Sequence, residues 1–143
     1  MSNMFERILV AYDGSEPSEK ALEVALDIAT KYSSQLEIVR VVDTSAIYSY
    51  LDVVPVDLEK QMYDEARKDL ERAELRAKRK LPNAKTTLLS GDPASEILEY
   101  SHKNGFNLLV CGNRGRSKLK RVLLGSVSSR FAHESRVPVL IIR

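Results

Sequence analysis

At 143 residues, with 43% hydrophobic and 29% charged side chains, the chain has the length and composition of one ordinary globular domain (residues 1–143) that buries a core without disulfides or a structural metal. Its net charge of +2 is too small for a wholesale nucleic-acid binder, so any attraction for anions must be local. A single cysteine, Cys111, excludes an intramolecular disulfide framework and a cysteine-based zinc site, and no apolar run approaches the length of a membrane span.

The N-terminal MSNMFER lacks the apolar stretch of a signal peptide, which makes the cytoplasm the expected address. Residues 7–12 (RILVAY) form a β-prone run that stops at Asp13-Gly14, and Ser15 offers an N-cap to a helix beginning near Glu16-Pro17. Ala21, Ala25, Ile28 and Tyr32, joined by Leu22, Leu26 and Ala29, recur at the spacing of one helical face. Residues 36–42 (LEIVRVV) return to a strand pattern dense enough in apolar residues for burial on both faces, as parallel sheets require.

From Asp43 to Asp57 runs a long connection with Tyr48, Tyr50, Val53 and Val54, of the length expected for a lid or a docking segment for a protein partner. Leu58, Met62, Ala66, Leu70, Ala73 and Ala77 then stripe a long helix over residues 58–81. A third strand at 86–89, a turn and helix start at Gly91-Asp92-Pro93, a short helix through Ala94, Ile97 and Leu98, and a fourth strand at 107–110 follow. After a basic loop come a last helix over 126–135 and a fifth strand from Val137 to Ile142. The alternation predicts a three-layer α/β fold, Rossmann-like, with a mainly parallel sheet and helices on both faces. In such sheets ligands sit beyond the carboxyl ends of the strands, where Asp13-Gly14-Ser15 and the loop after strand four both emerge.

That second loop, CGNRGRSKLKRVLLGS, has the spacing G-x2-G-x9-G-S through Gly112, Gly115, Gly125 and Ser126. Glycines permit positive φ and close backbone approach, so successive N–H groups can converge on phosphate oxygens at a helix N-terminus where Ser126 can cap and donate. Arg114, Arg116, Lys118, Lys120 and Arg121 would offset polyphosphate charge. The loop is neither a Walker A motif nor G-x-G-x-x-G, and the spacing alone is also compatible with an ordinary solvated connection.

From RILVAYDGSEPSEKAL through LLSGDPASEIL to the end of the fifth strand, the chain resembles the ATP-binding branch of the universal stress proteins, whose nucleotide-binding spacing G-x2-G-x9-G-[ST] is met in full. The resemblance implies a five-stranded parallel sheet in the order 3-2-1-4-5, ATP with Mg or Mn at the carboxyl edge of strands one and four, and a homodimer. It places Gly112 near the ribose, Gly115 near the phosphates, and Gly125, Ser126 and Val127 around the phosphate tail. It gives Asp13 a ribose hydroxyl, against the alternative that Asp13 caps its own turn. It sets the backbone of Val41 at the adenine edge and Ala11 where the family often has proline. The open apolar strand from Val137 to Ile142 is the expected dimer edge.

His102 and His133 lie on different predicted helices without metal-ligand neighbours, and Ser126, Ser128 and Ser129 lack a nucleophile elbow, so no catalytic residue is assigned. Asp92 reads as a turn or cap residue. The expectation is an ATP-dependent switch or regulator in a stress response with little turnover. The alternatives are a slow ATPase and a nucleic-acid module using Arg114 to Arg121, which lacks interleaved aromatics.

Overall fold

The structure, a computed structural model, describes residues 4–45, 48, 55–115 and 124–143. In chain order the elements are β1 (Arg7–Ala11), α1 (Glu16–Tyr32), β2 (Gln35–Asp43), α2 (Val56–Lys78), β3 (Lys85–Gly91), α3 (Pro93–Lys103), β4 (Leu108–Gly112), α4 (Ser126–Glu134) and β5 (Val139–Ile142). All neighbouring strands are parallel, in the order β3-β2-β1-β4-β5, as the sequence reading expected. β1 is central, with Ile8 paired to Leu36 on one side and to Leu108 on the other.

Two apolar clusters flank the sheet. Ile8, Val10 and Tyr12 join Leu36 and Ile38 against Leu22, Ala25 and Ala29 of α1 and Leu70 and Ala73 of α2. On the other face Leu9, Val39, Val41 and Leu109 pack with Ala94 and Ile97 of α3 and Phe131 of α4. The inner strands β1, β2 and β4 therefore alternate between two buried faces, which is why their sequence runs are densely apolar, whereas β3 and β5 at the sheet edges are only partly buried.

Local signals set the helix starts. Ser15 accepts from the Ser18 N–H at the head of α1, with Pro17 in the first turn, and Asp92 accepts from the Ser95 N–H at the head of α3, with Pro93 at its first position. Several expected boundaries move. α2 begins two residues before Leu58 and ends at Lys78, and its buried stripe is Ala66, Asp69, Leu70, Ala73 and Ala77, while Leu58 is exposed. Tyr32, assigned to the core face of α1, is exposed and packs edge-on against Phe5. β5 starts at Val139, because Pro138 supplies only its carbonyl, which accepts from Leu109 N–H. Tyr50, Val53 and Val54 of the long connection lie outside the described residues.

Candidate functional site

At the carboxyl edge the connections from β1 and β4 leave in opposite directions, β1 toward β2 and β4 toward β5, which opens a crevice between them. A cavity of about 490 Å³ occupies it. Its walls include every site residue expected from the sequence, Ala11, Asp13, Val41, Gly112, Arg114, Gly115, Gly125, Ser126 and Val127, except Arg116. Arg116, with Lys118, Lys120 and Arg121, lies outside the described residues.

Of the two properties expected of the three loop glycines, positive φ and close backbone approach, the first does not hold. Positive φ occurs at Gly14, Gly91 and Gly105, and at none of Gly112, Gly115 and Gly125. Space is what a side chain would lack. A Cβ on Gly112 would lie 2.6 Å from Pro17 Cβ and 2.8 Å from its carbonyl carbon, so the end of β4 touches the first turn of α1. A Cβ on Gly115 would lie 2.7 Å from Asp13 Oδ2, and one on Gly125 3.2 Å from Arg114 Cα. The loops after β1 and β4 are thus in mutual contact across the crevice.

Asn113 holds both feet of the basic loop. Its carbonyl accepts from Gly125 N–H at 2.6 Å and from Ser128 Oγ at 2.8 Å, while its own N–H donates to Ile142 O at 2.7 Å. Gly125, not Ser126, is the N-cap of α4, and no side chain caps that helix. Ser126 is its first helical residue, so the capping role expected for it falls away. The first-turn N–H groups of α4 have no intrahelical acceptor and open on the cavity wall formed by Ser126, Val127 and Ser128.

Asp13 does cap its own turn, since its Oδ1 accepts from Ser15 N–H at 2.9 Å. Its other oxygen faces Gly115. Tyr12, just before it, donates its hydroxyl to Glu19, which in turn pairs with Arg76 of α2. Burial, and then the Glu19 carboxylate, push the Tyr12 phenol above its ordinary range, so it stays a neutral donor.

The far end of the cavity is mostly apolar, with Arg40 and Asp43 as its charged residues. Val41 and Ile97 share the buried cluster there, with Pro93 and Ala11 beside them. Cys111 forms part of the floor, and burial pushes its thiol up to about 12, the behaviour of a small hydrophobe. Sequence reasoning missed Pro93, Ile97 and Phe131, because no local spacing announces contacts that only the crossover creates. It also missed Arg40, for which a signal existed: one cation inside the apolar run LEIVRVV. Arg40 reaches Asp69 of α2, Nε to Oδ2 at 3.4 Å, and donates Nη1 to the Val41 carbonyl at 2.8 Å. Among the described residues no group of three or more histidines, cysteines or carboxylates could hold a metal ion, and no helix is long and apolar enough to cross a membrane.

The family model described as the Universal stress protein family matches residues 4–143. Universal stress protein YxiE of Bacillus subtilis (strain 168) is 38% identical, over 98% of this chain and 100% of its own. A crystal structure of a protein from the universal stress protein family of Burkholderia pseudomallei has a TM-score of 0.79 at 28% identity, covering 99% of this chain and 98% of that one. A universal stress protein crystallised in complex with cAMP has a TM-score of 0.75 at 28% identity, covering 99% of each chain.

Proposed function

The chain belongs to the universal stress protein family, and from that premise we propose that it binds ATP in the crevice and works as a nucleotide-dependent regulator in a stress response with little or no turnover. The observation that carries this reading is the division of one cavity into two chemistries. At one end lie the uncapped N-terminus of α4, the crowded glycines and Arg114; at the other lies the apolar slot of Val41, Ile97 and Pro93. Phosphates suit the first end, because unpaired N–H groups and the helix dipole meet negative charge there without a side chain in the way. A purine suits the second, where flat apolar surface is buried. The volume of about 490 Å³ lies within the roughly 300–1,000 Å³ of small-molecule sites. A relative crystallised with cAMP carries an adenine nucleotide on the same fold.

In this reading Gly115, Gly125, Ser126 and Val127 receive the phosphates, with Arg114 and Arg116 offsetting charge. Asp13 and Gly112 stand at the ribose, and Mg²⁺ or Mn²⁺ travels with the phosphates. Turnover would need a group that orients water; the carboxylates in the described walls of the cavity are Asp13, tied to its own turn, and Asp43, at the base end away from the phosphates. The protein acts in the cytoplasm as a homodimer paired through β5, whose outer edge is open in the chain. Occupancy changes the basic loop that a partner sees, since a ligand shifts a conformational equilibrium only through differential affinity.

The test is calorimetric titration of nucleotide-free protein with Mg-ATP beside Gly115→Val, whose side chain enters the space in front of Asp13. Saturable binding in the parent, weakened at least tenfold in a variant with the parent's circular dichroism, is the expected result. Absence of ATP binding together with salt-sensitive binding of a short DNA duplex would transfer the basic loop to nucleic acid.

A further inference from the structure

At the apolar end of the cavity the polar groups that can read a base edge are the backbone of Val41, Arg40 and Asp43, whose Oδ1 already accepts from Ser45 Oγ at 2.7 Å. Val39 O accepts from Tyr12 N–H at 2.9 Å, so the Val41 peptide groups, two residues further along β2, point to the same side. They do so past Ala11, the last paired residue of β1, and hence face the crevice. A bare strand-edge carbonyl there would accept an amino group and reject a keto oxygen. Here the Val41 carbonyl carries a donor, because Arg40 Nη1 lies on it at 2.8 Å.

Arg40 is also held in place. On the face that Leu36 and Ile38 share with α1 and α2, its Nε sits 3.4 Å from Asp69 Oδ2, and its side chain is only 15% exposed. Asp69 is itself 2% exposed and paired to Arg72 at 2.6 Å. A guanidinium fixed in this way offers its remaining N–H donors without a further ordering cost. On its O6/N7 edge a 6-keto purine presents acceptors only, the pattern a guanidinium matches.

We infer that Arg40 is a specificity-determining residue that opens the base end to 6-keto purine nucleotides, of the inosine and guanosine class, alongside the 6-amino purine that the second lone pair of the Val41 carbonyl accepts. This rests on the nucleotide reading of the cavity and adds to it the class of base. Without the guanidinium, a keto oxygen opposite an unpaired carbonyl would weaken binding about ten- to hundredfold.

Mg-ITP and Mg-ATP differ at the base alone, so their affinities for the full chain isolate the effect by calorimetry. The expected result is ITP within fivefold of ATP, and a ratio shifted at least tenfold against ITP in Arg40→Met. A preference for ATP of fivefold or more in the parent protein overturns the inference and needs no variant. So does an unmoved ratio in Arg40→Met with the parent's circular dichroism. Both leave ATP binding standing, whereas failure of either nucleotide to bind removes the nucleotide reading and this inference with it.

Discussion

Each loop glycine owes its place to the atom that a side chain would strike. At Gly112 that atom is backbone, the carbonyl carbon of Pro17 at 2.8 Å, so neither β4 nor the first turn of α1 can yield without moving an element. Gly112→Ala is expected to lower stability by about 1–3 kcal/mol, the usual range for overpacking, in urea unfolding followed by circular dichroism. The spacing of the glycines was legible in the sequence, and their physical reason was not. Positive φ is a local property that a turn sequence can announce, as Asp13-Gly14 does with φ 83° at Gly14. Crowding by Pro17 depends on residues nearly a hundred positions away, and no window of sequence contains both partners. Arg40 is the complementary case. A cation in a buried strand was visible, but its partner Asp69 and its target at Val41 emerge only once α2 covers the sheet.

At the scale of elements, one wall of the site is built by α3 and α4, and Asp92 ties them together. It caps α3 through Ser95 and pairs with Arg130 of α4 at 2.7 Å. The Ser95 hydroxyl and N–H, and then Arg130, hold the Asp92 carboxyl below its ordinary value of 3.8. Because the folded value is the lower one, its stabilisation is complete above 3.8 and is lost as the pH falls through the folded value. Asp92→Ala is expected to cost about 1 kcal/mol at neutral pH from the lost cap, and to flatten the part of the acid unfolding curve below pH 3.8. Urea midpoints collected from pH 2 to pH 7 check both. The cap was legible in GDPASEIL, since aspartate before proline at a helix start is a local signature. The partnership with Arg130 was not, because it depends on two helices lying side by side on one face of the sheet.

For the whole molecule, the alternation of strands and helices was enough to give a parallel sheet with two covered faces, and right-handed crossovers narrow the topologies. The order β3-β2-β1-β4-β5 lies beyond periodicity, and its expectation came from the likeness to a known family. The homodimer proposed above draws on the open edge of β5. The carbonyl of Pro138 accepts from Leu109 of β4 and that of Ile142 from Asn113 just beyond it, so by alternation the peptide groups of Val139 and Ile141 point outward. Ile141→Pro removes an outward donor and no ladder bond to β4. Sedimentation at micromolar concentration is expected to give a dimer for the parent and a monomer for Ile141→Pro; a parent monomer would refute the pairing.

The position of β1 at the centre of the sheet sets a schedule for synthesis. Its partners on one side, Leu108 to Val110, follow Ile8 to Val10 by a hundred positions. At about 5–20 residues per second, a ribosome delivers them roughly 5–20 s after β1 has formed. Through that interval β1 has one open flank, carried by Ile8, Leu9 and Val10, which are fully buried in the finished fold. The nascent chain needs protection there, and the same late-arriving strand that ends this exposure also completes the crevice.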